Sequence, residues 1–159
     1  MGTETNNFLR KLEGRFTPPL PPIGICDERK LEVNVIFSTT QGTQAALKAA
    51  QELAHGLNAR TMLLVPQVVP RQFPISSPPV SIAFTERRAL AIASASQKDM
   101  DIRVHVYLCG DKKQCLLKVL KPKSLVLIGG KKRWWLAPEQ KLARALRARG
   151  HRVIFIKGE

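Results

Sequence analysis

Hydrophobic positions recur along residues 31–157 in two alternating patterns. Short runs of β-branched and aromatic residues, such as LEVNVIFST and SLVLIGG, are typical of strands. Between them lie segments with apolar residues at helical spacing, such as the alanine-rich TQAALKAAQELAHGL. The run RTMLLVPQVV is continuously apolar, as expected for a strand that is covered on both faces. The patterns predict strands at 31–39, 60–69, 101–110, 124–130 and 151–157, and helices at 43–57, 84–97, 111–121 and 138–150.

Strands that alternate with helices in this order predict a single α/β domain over residues 31–159. Crossovers of this length favour a parallel sheet with helices on both faces, so we expect a three-layer sandwich with five parallel strands. Residues 1–30 are predicted to be an N-terminal extension, because TPPLPPIG is rich in proline and stops a helix. Within that extension, NNFLRKLEGRF is expected to form a short amphipathic helix with Phe8, Leu9 and Leu12 on one side.

Several residues suit the ends of the predicted helices. Asp111 is the expected N-cap of the third helix. Pro138 suits the first turn of the last helix and Gly150 suits its end. For the first helix Thr43 is a plausible cap, and the second helix is expected to begin near Ser81 or Thr85.

Three stretches together resemble the universal stress protein family, a member of the HUP-type adenine-nucleotide-binding group. VIFSTTQGTQAALKAAQELA is similar to the family's first strand, glycine turn and helix, and HRVIFI is similar to its closing strand. The most specific piece is CGDKKQCLLKVLKPKSLVLIGGKK, and the resemblance covers roughly residues 32–157. It implies the strand order 3-2-1-4-5 and a homodimer through the last strand.

The resemblance also shows where this chain departs from the ATP-binding members. The acid that follows their first strand is replaced by Gln41. After the fourth predicted strand Gly129 is present, but Lys132 stands where the family has its second glycine. Leu142 and Ala143 stand where the family has the final glycine and hydroxyl residue, which bring backbone N–H groups close to the triphosphate. We therefore expect ATP binding to be weakened or lost.

A substitute nucleotide site stays open at the same edge of the sheet, since ligands of such sheets bind beyond the carboxyl ends of the strands. Lys131, Lys132 and Arg133 have the charge to hold phosphates in place of the missing glycines. The two adjacent glycines either let a ligand approach closely or serve a turn that needs positive φ. The candidate nucleotide-binding residues are Thr40, Gln41, Val65, Gly129, Gly130 and Lys131.

The charge of the chain points to an anionic partner. The net charge is +14, and residues 112–152 hold 13 lysines and arginines against one acid, Glu139. Such clustering favours an acidic protein face, an anionic membrane surface or nucleic acid over a small neutral ligand. A merely basic, solvated surface is the plain alternative.

The run KKRWW concentrates this charge beside two tryptophans. Basic and aromatic residues together hold nucleic acid by phosphate contact and base stacking, or lie at a membrane interface, or form a protein hot spot. One packed tryptophan beside solvated lysines is the simpler arrangement. The candidate docking residues are Lys131, Lys132, Arg133, Trp134, Trp135, Lys141, Arg144 and Arg147, of which the last three share one face of the last predicted helix.

No combination of residues in the sequence indicates catalysis or metal binding. Cys26, Cys109 and Cys115 form no CxxC pair, and the last two are expected to be buried. The three histidines share no spacing with acids that would form a nucleophile–base pair. We therefore predict no catalytic residues and no metal site. The predicted cofactor is none or, through the resemblance, ATP.

Three functions follow from these observations. The favoured one is a non-catalytic regulator of the universal-stress type in the cytoplasm. The second is a basic adaptor or accessory subunit that docks on a larger complex, nucleic acid or, peripherally, an anionic membrane. The third is an ATP-binding universal stress protein in which basic side chains replace the glycine signature.

Overall fold

The computed structural model describes residues 10–15, 31–96, 101–131 and 137–158, with the backbone alone for 10–15 and for Lys131. Six strands form one sheet: β1 (Arg10–Arg15), β2 (Glu32–Ile36), β3 (Arg60–Val68), β4 (Ile102–Cys109), β5 (Leu125–Lys131) and β6 (Arg152–Gly158). The helices are α1 (Thr40–Leu57), α2 (Ile82–Ser96), α3 (Lys112–Val119) and α4 (Pro138–Ala148).

Strands β2 to β6 form the predicted five-stranded parallel sheet. The order across the sheet is β4-β3-β2-β5-β6, which is 3-2-1-4-5 when these five are numbered along the chain. Each neighbouring pair is parallel, with registers such as Val33 opposite Leu125 and Leu63 opposite Val104. This confirms the predicted fold class, a doubly wound α/β sandwich.

Strand β1 extends the sheet where the sequence suggested a helix. It pairs antiparallel with the outer edge of β4, with Arg10 opposite Leu108 and Arg15 opposite Arg103. The helical prediction for NNFLRKLEGRF is therefore wrong over Arg10–Arg15, and its other residues lie outside the described ranges. An unpaired sheet edge offers a row of backbone donors and acceptors, which outweighs the weak local preference of RKLEGR for either state.

The helices cover the two faces of the sheet in pairs. Helices α1 and α2 pack over one cluster of buried residues, which includes Leu47, Ala50 and Ile92. Helices α3 and α4 pack over the opposite cluster, which includes Leu116 and Leu146. We call the outer surfaces of these two layers the α1/α2 face and the α3/α4 face.

The helix ends confirm most of the capping predictions. Asp111 accepts a hydrogen bond from the Gln114 N–H at 2.7 Å, and Pro138 occupies the first turn of α4. Ser81 lies directly before α2 and accepts from the Phe84 N–H. Gly150 follows α4 with a positive φ of 89°, as a helix-ending glycine does.

Candidate functional site

The two glycines at the end of β5 lie within the strand and are buried, so they do not form a turn. Neither has a positive φ, which removes the conformational reason for glycine at these positions. Gly129 instead lies directly against Gly42 of α1. A Cβ atom at Gly129 would fall 1.7 Å from the carbonyl oxygen of Gly42, and one at Gly42 would fall 2.6 Å from the carbonyl oxygen of Gly129.

This glycine contact fixes the first turn of α1 against the carboxyl end of β5. The Ser38 hydroxyl donates to the carbonyl oxygen of Gly129 across the same junction. In nucleotide-binding α/β proteins, glycines at this place let a phosphate approach the backbone. Here the neighbouring backbone takes up the space that the missing Cβ atoms leave.

Two backbone donors of the α1 turn, at Gly42 and Thr43, also have partners within the chain. Thr39 is the N-cap, and its hydroxyl accepts from the Gly42 N–H at 3.0 Å. The Thr43 N–H donates to the Thr39 carbonyl, and the Thr43 hydroxyl accepts from the Ser38 N–H. The prediction of Thr43 as the cap is therefore wrong: it is fully buried one turn further on.

The start of α4 is poorly suited to phosphate. Pro138 has no N–H, the Gln140 N–H donates to the Ala137 carbonyl, and Glu139 brings a negative charge into the first turn. Leu142 and Ala143 lie inside the helix and are buried in the core beneath it, as expected. Both residues therefore serve packing.

The remaining candidate nucleotide residues do not form a group. Thr40 and Gln41 are exposed at the start of α1. Val65 is buried in β3 and packs into the core beneath α1 and α2. For Lys131 the structure describes the backbone alone, which pairs with Gly158 of β6.

Lys112 is the first of the basic residues that the sequence groups into the charged segment 112–152. Its ammonium group reaches over the carboxyl end of the sheet and donates to the Phe37 carbonyl at 3.2 Å. Burial lowers the pKa of Lys112, and the nearby Glu139 carboxylate acts in the opposite direction. From the other face of the sheet, the Arg88 guanidinium lies 5.9 Å from the centre of the Phe37 ring. Two cations therefore flank the residue that follows β2.

Cys109 and Cys115 are both buried, as predicted, and their thiols contact each other. The hydrogen bond from Cys115 lowers the pKa of Cys109, whereas donating that bond and burial raise the pKa of Cys115. Cys26 lies outside the described residues. Within the described ranges, no three His, Cys, Asp or Glu side chains are placed to hold a metal ion.

The α3/α4 face is strongly basic. Residues 111–123 and 137–152 contain ten lysines and arginines against two acids, Asp111 and Glu139. Nine of the basic residues are exposed, and Lys112 is the partly buried exception. Those nine are Lys113, Lys118, Lys121, Lys123, Lys141, Arg144, Arg147, Arg149 and Arg152.

The predicted docking residues of α4 lie together on this face. Lys141, Arg144 and Arg147 are exposed, while Leu142 and Leu146 are buried on the opposite side of the helix. The Arg147 guanidinium also donates to the Val153 carbonyl, and this hydrogen bond holds the arginine side chain close to β6. Lys132, Arg133, Trp134 and Trp135 lie outside the described residues.

Large exposed apolar side chains lie elsewhere in the described part of the chain. They lie at the end of β3, between β3 and α2, within α2, at the end of α1, before β2 or on the edge strand β6: Val68, Phe73, Val80, Phe84, Leu57, Leu31 and Ile154. None of these belongs to α3 or α4. The described residues of the α3/α4 face thus present charge without a large exposed apolar side chain.

Fold and site together define a doubly wound, Rossmann-like α/β protein with a filled glycine junction and a basic face. Compared with known proteins, the chain matches no family model and no curated protein sequence. None of the helices in the described ranges has the length and hydropathy that crossing a bilayer requires.

Proposed function

We propose that this chain is a non-catalytic regulatory protein of the universal-stress type that has lost the family's mode of ATP binding. It acts by binding an anionic partner on its α3/α4 face. The observation that carries the first part is the contact between Gly42 and Gly129, because it fills the place where phosphate approaches the backbone in ATP-binding members.

Three further features support the loss of ATP binding. The N–H groups of Gly42 and Thr43 donate within the α1 turn. Pro138 and Glu139 make the start of α4 unfavourable for a triphosphate. Phosphate would therefore meet no free N–H group at Gly42 or Thr43, and a negative side chain at the start of α4.

Calorimetric titration with Mg-ATP tests this proposal at about 150 mM salt, where loose surface charge is partly screened. We expect no saturable heat. Saturable binding at micromolar ATP that persists as salt is raised would contradict the proposal. The combined variant Lys131→Gln, Lys132→Gln, Arg133→Gln then separates the alternatives, since a basic substitute for the glycine signature requires those side chains.

The basic face supports the second part, in which a partner docks on α3 and α4. Exposed arginines and lysines on two adjacent helices exceed what solubility requires of a small domain. A regulator without catalysis needs such a surface, so the adaptor function and the stress-type function describe the same protein. A cytoplasmic location is part of this proposal.

The proposed function also includes a homodimer that forms through the edge strand β6. This edge strand has exposed and half-buried residues in alternation, and Ile154 is 39% exposed. Light scattering on Ile154→Lys tests the pairing, with Val68→Lys as the matched control on another exposed apolar residue. We expect the first variant to be monomeric and the control to keep the wild-type mass. A wild-type monomer, or equal behaviour of the two variants, would remove β6 as the interface.

A further inference from the structure

The acids of the α3/α4 face do not neutralise its outer surface. The Asp111 carboxylate is engaged in capping the start of α3. Glu139 lies at the start of α4 and acts on the partly buried Lys112. Lys121 pairs with Glu32 of β2 at 3.1 Å, but its side chain stays 76% exposed, so that pair is weak. The outward field of this face is therefore positive.

The basic residues lie at spacings that suit a row of phosphates. Lys141, Arg144 and Arg147 follow one another at three-residue intervals, about 4.5 Å apart along the helix axis. Lys113 and Lys118 are exposed on the adjacent helix and add two further cations. Duplex DNA carries one charge for about every 1.7 Å of its axis, so flexible stems on two adjacent helices reach several phosphates at once.

The other classes of anionic partner are favoured by apolar anchors, and the described residues of this face provide no large exposed one. Membrane binding by a helical surface needs apolar side chains that enter the headgroup region. Protein hot spots are built around aromatic or other apolar anchors in a desolvated centre. In the described ranges, the large exposed apolar residues lie outside α3 and α4. A phosphate backbone needs only cations and tolerates a wet interface.

We infer that the α3/α4 face binds the phosphate backbone of a nucleic-acid duplex without reading its base sequence. This inference rests on the proposed function, of which it names the partner. Lysines and arginines bound to phosphates fix position and affinity but carry no sequence information by themselves. Binding is then strongly dependent on salt and nearly independent of base composition.

The test measures fluorescence anisotropy of a labelled DNA duplex of about two helical turns, or about 21 base pairs. The full chain is titrated at salt from about 50 to about 200 mM. The face variant combines Lys113→Gln, Lys141→Gln and Arg144→Gln. The control variant combines Lys48→Gln, Arg71→Gln and Arg87→Gln, which removes the same charge from exposed positions outside the face.

We expect tight binding at low salt that falls by about three orders of magnitude across this range. The face variant should lower the slope of log affinity against log salt by about three, roughly one for each lost phosphate contact. The control variant should keep the wild-type slope. Equal losses in the two variants would overturn the inference, because the total charge and not this face would then govern binding.

Two competitors distinguish failure of this inference from failure of the proposed function. If polyglutamate competes as well as the duplex at equal charge, the partner is an acidic protein; the duplex inference falls and the proposed function stands. If vesicles of anionic lipid bind and the duplex does not, the inference also falls. If no polyanion binds, both the inference and the docking part of the proposed function fail, while the ATP titration still decides the nucleotide part.

Discussion

The two faces of the sheet have similar cores and opposite surfaces. Helices α1 and α2 together carry three lysines and arginines against two acids, whereas α3 and α4 carry six against one. Beneath them, Leu47 and Leu146 are both fully buried. The packing that holds the fold therefore does not require the charge. The charge of the α3/α4 face needs a separate explanation, which the proposed partner would supply.

The faces also differ in how their helices meet the sheet. Helix α1 approaches β5 so closely that two glycine backbones touch, whereas α3 leaves room for the Lys112 side chain to cross the sheet edge. One junction is closed by backbone and the other by a long polar side chain. Three sets of substitutions test how the two faces differ.

The largest effect is expected at the closed junction. Gly129→Ala places a methyl group on the Gly42 carbonyl, which cannot move without lifting α1 from the sheet. We expect a loss of more than about 4 kcal/mol in the free energy of unfolding, measured by urea titration with circular dichroism. The control is Gly56→Ala, where a Cβ meets nothing within 4 Å; it should stabilise α1 by up to about 1 kcal/mol. A Gly129→Ala protein of near wild-type stability would show that the junction is not closed.

An intermediate effect is expected at the helix caps of the two faces. Thr39→Ala removes the acceptor for the Gly42 N–H, and Asp111→Ala removes the acceptor for the Gln114 N–H. Each should lower the free energy of unfolding by about 1 kcal/mol. The Asp111 loss should shrink as salt is raised, because that carboxylate also offsets nearby lysines, whereas the Thr39 loss should not change. Equal salt dependence of the two losses would remove the electrostatic distinction between the faces.

The smallest effect concerns Lys112 and depends on pH. Burial lowers its folded-state pKa below the ordinary value of 10.5, so between those two values the unfolded chain binds more protons. Stability therefore rises with pH in that window. Lys112→Met lacks this contribution. The free energy of unfolding of the wild type, minus that of Lys112→Met, should increase as pH is raised from neutral towards 10.5. Parallel curves would mean that the lysine is not desolvated.

Local patterns predicted the parallel sheet and most helix ends, whereas the strand order was implied by the resemblance to universal stress proteins. Alternating apolar runs and helical spacing depend on nearby residues, and Asp111 and Pro138 act within one helical turn. Strand β1 was missed because its pairing depends on the open edge of β4, about 90 residues further along the chain. A strand that forms only on a distant partner leaves little signal in its own residues.

The candidate site was predicted in part. The basic residues of α4 lie together on one face because helical spacing places them there. For the two glycines at the end of β5 the sequence left two roles open, close approach of a ligand and a turn with positive φ. Their contact with Gly42 joins parts of the chain that no local pattern connects. The contact of Lys112 with the Phe37 carbonyl was missed for the same reason, since Phe37 lies 75 residues away along the chain.

Strand β1 also affects how copies of this protein can associate. It occupies the outer edge of β4 in the antiparallel direction, and β6 forms the opposite edge. Among the described strands, β1 therefore becomes the edge of the sheet in place of β4. It has six residues, whereas β4 has eight, nearly all of them buried. A short edge strand offers fewer backbone donors and acceptors to a neighbouring chain than a long apolar one. Deletion of the N-terminal strand would expose β4 as the edge and should make the protein more prone to aggregate.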